Sequence, residues 1–164
     1  MSVRMRRRCL QGLLAGILVV AGSSPAWAQA SDPQNGTWKL NLAKSKYSPG
    51  PAPKEGTLTI EAAGPGRKVS VSGVAADGTA VKWGYSGNFD GKDIPLTGNN
   101  PDADVVMLKR VSANAVRTTN KKAGKRTLVN GVSVSADGKT LTVATTGVNA
   151  KGQTVKNTQV FDKQ

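Results

Sequence analysis

The chain has 164 residues, with 23 Lys and Arg against 10 Asp and Glu, one cysteine and no histidine. Without imidazoles, and with its only thiol at Cys9, it lacks the parts for Ser-His-Asp or Cys-His nucleophilic sites and for the usual zinc, copper and haem ligand sets. Chemistry is left to carboxylates, lysines, tyrosines and hydroxyls, so the expectation is a non-catalytic protein with no metal and no cofactor.

Residues 1–28 read as a cleaved secretory signal peptide. Arg4, Arg6, Arg7 and Arg8 make a basic start, an uncharged and mostly apolar run follows from Leu10 to Ala21, and Ala26-Trp27-Ala28 supplies a small-x-small cleavage site. The apolar run is too short to span a bilayer comfortably. Cleavage is expected after Ala28, with Ala30 as the competing position, and the domain is expected in the periplasm or outside the cell. The consecutive arginines leave both the general secretory and the twin-arginine routes open. Cys9 stands before the apolar run, where a lipid-anchored cysteine would follow it, and it leaves with the signal. Stability in an oxidising compartment then rests on packing and not on disulfides.

The signal takes four of the 23 basic residues and none of the 10 acidic ones, so the remaining 136 residues carry a net charge of +9. That length suits one domain. The basic surplus favours acidic partners such as anionic lipid or polysaccharide. No later run approaches the ~20 apolar residues of a membrane helix, so no transmembrane segment is expected in the mature chain. A monomer is expected.

Residues 29–35 are assigned to a flexible tail and residues 36–163 to the folded domain. From Gly36 the hydrophobic period is two, and runs rich in Val and Thr are separated by Asp77-Gly78, Asp90-Gly91, Asn130-Gly131 and Asp137-Gly138. Branched side chains suit a pleated surface, and Asp-Gly or Asn-Gly supplies the positive φ of tight hairpins. Predicted strands run Gly36–Asn41, Gly56–Ala62, Lys68–Ala75, Thr79–Phe89, Ile94–Thr97, Asp104–Val111, Ala115–Asn120, Lys125–Val134, Thr140–Val148 and Thr154–Asp162. Asn130-Gly131 falls inside one of them and marks either a bulge or a further hairpin. Asn41 is placed to cap a single helical turn before Lys46, and the proline-rich Ser48–Pro53 must cross irregularly. The fold class expected is all-β, a single antiparallel β-barrel or meander of about eight to ten strands.

Several blocks resemble uncharacterised, secreted, lipocalin-like bacterial proteins. They are Gly36-Thr37-Trp38-Lys39-Leu40-Asn41 with Ala43-Lys44-Ser45-Lys46-Tyr47, then Phe89 through Gly98, then Ser135 through Val143. The resemblance spans almost the whole mature chain and implies a β-barrel without an assigned activity. Gly36-x-Trp38 is similar to the Gly-x-Trp of the first lipocalin strand, which implies that Trp38 closes one end of the barrel. The Thr-Asp-Tyr motif of lipocalins is absent, and no arginine stands in the final strand.

Alternation in the fourth predicted strand puts Val81, Trp83, Tyr85 and Phe89 on one face and Lys82 on the other. Trp83 and Tyr85 are read either as core or as walls of a ligand cavity. A two-residue hairpin loop at Ala113-Asn114 would set Arg110 opposite Arg117 on one face. Turned inward, that pair would hold an anionic headgroup; a bulge or an unpaired strand end would turn these charges outward. Lys121-Lys122-Ala123-Gly124-Lys125-Arg126 forms a basic hairpin tip without the interleaved aromatics that stack on bases, so no nucleic-acid partner is expected. The Asp90–Asp93 and Asn99–Asp104 loops carry oxygen ligands but match no EF-hand spacing. The expected function is an exported binding protein that carries a small amphipathic or anionic ligand, with Arg110, Arg117, Trp83 and Tyr85 as ligand residues. The alternative is an envelope protein that contacts anionic lipid or polysaccharide through its basic surface around a filled interior.

Overall fold

Eleven strands form where Val, Thr and Ile alternate with small or charged residues, because one face of each can be buried and the other left wet. In the computed structural model, which describes residues 32–164, they are β1 Gly36–Leu40, β2 Glu55–Ala63, β3 Gly66–Val74, β4 Ala80–Gly87, β5 Asp90–Pro95, β6 Thr97–Gly98, β7 Val105–Ser112, β8 Ala115–Lys122, β9 Lys125–Val134, β10 Thr140–Val148 and β11 Thr154–Lys163. The expected signal peptide, Cys9 and residues 29–31 lie outside the described residues. Asn41 Oδ1 accepts from Lys44 N at 3.1 Å and caps a 3₁₀ turn at Leu42–Lys44. No described helix is long and apolar enough to cross a membrane.

All strand pairs are antiparallel, in one sheet of order β5-β7-β8-β9-β10-β11-β1-β2-β3-β4-β6. Its two edges, β5 and β6, are separated in sequence by Leu96 alone. Residues 90–98 therefore pair first with β7 and then with β4, and the sheet curls into a nearly closed barrel. This accounts for a strand more than expected: the single strand Ile94–Thr97 is two, with the chain stepping from one sheet edge to the other between them. Gly98 makes that step possible. Its φ is +91°, and a Cβ there would stand 2.2 Å from the Lys82 carbonyl oxygen across the seam, a conformation and a contact that only glycine accepts.

Inward residues follow the alternation. Leu58 and Ile60 of β2, Val69 of β3, Val106 and Leu108 of β7, Leu141 of β10 and Phe161 of β11 form the core with Trp38. Two local departures from regular pairing decide the rest. Between β7 and β8 the register shifts at Val111, so Arg110 stands opposite Val116 and Lys109 opposite Arg117. Between β8 and β9 the shift falls between the Thr119–Val129 and Lys121–Arg126 pairs. Asn130 and Gly131 run straight through the ladder, paired with Thr145 and Ala144 on one side and Thr118 and Arg117 on the other. The bulge expected at Asn130-Gly131 thus lies just before it, and there is no extra hairpin.

Residues 32–35 correct the flexible-tail assignment. Gln34 is wholly buried; its Nε2 donates to the carbonyls of Asn114 at 3.0 Å and Val132 at 3.1 Å, and its own carbonyl accepts from Trp38 Nε1 at 2.9 Å. This segment seals one end of the barrel with Trp38, which is fully buried. Lys163 of β11 places its ammonium 5.0 Å from the Trp38 ring centroid. A lysine therefore covers the tryptophan from the final strand, in a sequence where no arginine stands there.

Candidate ligand-binding cavity

Side chains do not fill the barrel. A cavity of about 340 Å³ extends from Arg67 and Tyr85, near the sealed end, to Pro53, Glu55, Asn100 and Pro101 at the other. The crossover after β1 frames that open end. Lys46 pairs with Thr158 of β11, Ser48 N donates to Asn157 Oδ1 at 2.9 Å, and Lys54 N donates to the Val74 carbonyl. The chain reaches β2 across the rim because its prolines cannot continue a ladder.

The cavity has two unlike walls. Strands β2 to β4 contribute Leu58, Ile60, Val69, Val71, Trp83 and Tyr85. Trp83 and Tyr85 stand next but one on β4, their rings stacked with centroids 6.5 Å apart. Strands β8 to β11 contribute the polar Thr118, Asn120, Asn130, Thr145, Asn157 and Gln159 among the apolar Leu128, Val132, Val143 and Phe161. Three of these form a relay: Thr145 Oγ1 donates to Asn130 Oδ1 at 2.8 Å, and Asn130 Nδ2 donates to Thr118 Oγ1 at 2.8 Å. The relay leaves the Thr118 hydroxyl proton and one Asn130 amide proton available, since each group carries more donors than it uses. A mostly apolar cavity with polar groups set into one wall suits an amphipathic guest.

Arg67 occupies the base. It is 2% exposed and stands on β3 two residues before Val69, on the same inward face. Gly66 brings it there: a Cβ on Gly66 would lie 2.0 Å from the Gly87 carbonyl oxygen, so only glycine lets β3 and β4 approach at this corner. Arg67 Nη1 donates to Gln34 Oε1 at 2.8 Å and Nη2 donates to the Tyr85 hydroxyl at 3.0 Å. Its guanidinium carbon lies 6.0 Å from the Tyr85 ring centroid and 5.8 Å from that of Phe89. Burial pushes the Tyr85 phenol above its ordinary pKa, and the Arg67 charge and hydrogen bond pull against that shift.

The residues expected to bind a ligand divide. Trp83 and Tyr85 line the cavity. Arg110 and Arg117 do not form a pair, because the Val111 bulge adds one residue to β7 and puts the two arginines on opposite faces. Arg117 is exposed on the outer surface. Arg110 is half-buried at the sealed end, where it pairs with Asp32 and lies 4.1 Å from the Phe89 ring centroid. Trp38 closes the barrel and stays out of the cavity lining.

The acidic loops are engaged by nearby donors. Asp93 pairs with Lys121 at 2.8 Å, Asp104 accepts from Ala123 N at 2.9 Å, and Asp102 accepts from Ala150 N at 3.0 Å. Among the described residues no three metal-ligating side chains gather.

Sequence reasoning missed Arg67, Gln34 and the Thr118–Asn130–Thr145 relay. Carrying the alternation of Val69 and Val71 back by two residues would have placed Arg67 inward. Nothing local marks Gln34, whose partners are distant in sequence.

No protein-family profile matches the chain, and no curated protein matches it. Among solved structures it is similar to the zebrafish ileal bile acid-binding protein complexed with cholic acid, with a TM-score of 0.47 and 11% identity over 80% of this chain and 99% of that one.

Proposed function

We propose that the protein is an exported, non-catalytic carrier that holds a small amphipathic ligand inside its barrel. The observation that supports this reading is the unfilled interior. Small barrels whose role is structural are packed by their own side chains, to the density of an organic crystal. Here about 340 Å³ is left open, within the ~300–1,000 Å³ typical of small-molecule sites. A protein that acted only through its basic exterior would have no use for that space.

The polarity of the walls narrows the guest. Burying a polar group without a partner costs ~1–3 kcal/mol by mutational data, so a purely apolar guest against the Thr118–Asn130–Thr145 wall would leave those groups unmatched. A purely polar guest would leave the apolar lining, from Trp83 and Val71 to Val143 and Phe161, without a match. Export rests on the basic start, apolar run and small-residue site of residues 1–28.

Native mass spectrometry of the protein purified from its own host tests both parts. The expected spectrum shows a chain beginning at Gln29 and a non-covalent small-molecule adduct lost on collisional activation. A mass retaining Arg6 to Leu14 contradicts export, and a bare protein under gentle ionisation from several growth conditions contradicts the carrier reading.

A further inference from the structure

We infer that Arg67 is an anion-binding site at the base of the cavity, so that the ligand is a monoanionic amphiphile bound with its charged head inward and its apolar body toward the open end. This rests on the carrier reading and assigns the headgroup, its partner and the direction of entry.

Arg67 is almost fully buried, yet no carboxylate among the described residues pairs with it. Its two recorded partners, Gln34 Oε1 and the Tyr85 hydroxyl, are both neutral acceptors. A guanidinium has five N–H donors, and here Nε has no partner at all. A buried cation without a counter-charge costs several kcal/mol, and a fold tolerates it where something supplies the missing charge. The Asp32 carboxylate does not serve, because it is taken by Arg110 beyond the Phe89 ring.

The surroundings favour an anion over a second cation or a neutral polar group. Arg67 and Tyr85 are diagonal neighbours across β3 and β4, since Val69 stands opposite Tyr85 and Arg67 opposite Gly87. Tyr85 accepts from Arg67 and keeps its own proton, which leaves its O–H as a donor. A carboxylate or sulfate at this point would meet charge-assisted donors from Arg67 and a phenolic donor from Tyr85. Such bonds are about twice as strong as neutral ones, and a guanidinium can present two of them in parallel. From there Trp83, Val71 and Val69 line the route toward Pro53 and Pro101, so a tail leaves the base along apolar surface.

Titration calorimetry of the mature protein with decanoate and with decanol, at pH 8, tests the assignment. Wild type is expected to bind decanoate at least tenfold more tightly than decanol, and to lose that preference when the pH falls below the ligand's carboxyl pKa. Arg67→Gln is expected to bind the two equally, because it weakens decanoate far more than decanol. Tyr85→Phe, which keeps the cation, is expected to weaken decanoate severalfold and decanol less, so that the preference narrows; this variant decides the matter if Arg67→Gln does not fold. Equal affinities in wild type, or a preference undiminished in the variants that fold, would overturn the anion site while leaving the carrier reading standing. Failure of wild type to bind either probe would overturn both.

Discussion

Replacing Trp38 and Trp83 in turn by alanine separates a residue that holds the barrel shut from one that lines its cavity. Trp38 is fully buried, its indole N–H bonded to the Gln34 carbonyl at 2.9 Å and its face covered by Lys163. Deleting a buried tryptophan side chain costs ~3–5 kcal/mol through lost transfer energy and the residual cavity. The orphaned Gln34 carbonyl adds ~1 kcal/mol or more. Against a total of ~5–15 kcal/mol for a domain of this kind, Trp38→Ala should remove about a quarter or more of the stability. Trp83 is only partly buried and already faces open space, so no new void has to be created and Trp83→Ala should cost less than half as much. The assay is urea unfolding followed by circular dichroism at 218 nm, with midpoints compared at unchanged m-value. Equal losses for the two variants, or a Trp38→Ala loss under ~1.5 kcal/mol, would refute the division between a sealed end and an open interior.

Three further outcomes follow from the same geometry. Gly98→Val places a branched side chain against the Lys82 carbonyl at a φ of +91° and should open the seam, seen as faster hydrogen exchange at Trp83 and Gly84 while β9 to β11 stay protected. Arg117→Gln, on the outer face, should change neither stability beyond ~0.5 kcal/mol nor decanoate affinity, and calorimetry showing otherwise would return that residue to the site. Because the Tyr85 pKa is raised by burial, the unfolded chain gives up that proton first on going alkaline. Tyr85 thus contributes its full stabilisation below its ordinary pKa of about 10 and loses it as pH rises through the higher folded value. Wild type should lose stability more steeply above pH 10 than Tyr85→Phe, and parallel curves would contradict the burial.

Much of the barrel is legible in the sequence. Strands β9 and β10 appear with their observed limits, because Lys125–Val134 and Thr140–Val148 are rich in Val and Thr and the Asp137-Gly138 turn separates them. The inward aromatic face of β4 is legible from its alternation, and Trp38 as the plug is what the resemblance of Gly36-x-Trp38 to the first lipocalin strand implies. What stays hidden depends on contacts distant in sequence. One residue inserted at Val111 reverses the face of everything before it on β7, and no propensity marks that position. Gly66 and Arg67 fall just before the predicted strand Lys68–Ala75, whereas they open β3 and Gly66 lets it pass close to Gly87. Gln34 sits in a short polar stretch typical of a tail, and only its bonds to Asn114, Val132 and Arg67, between 33 and 98 residues away, make it structural.

The central claim, that the barrel interior is a ligand site, is tested most directly by filling it. Val143 of β10 lines the cavity, and Val143→Trp would project an indole into the open space while leaving Arg67, Tyr85 and the exterior charges in place. Calorimetric titration of wild type and this variant with decanoate, after circular dichroism shows both folded, is the measurement. Saturable one-to-one binding to wild type, reduced at least tenfold in Val143→Trp, is the predicted result. Binding that is equal in the two proteins would place the amphiphile on the basic surface and contradict the account.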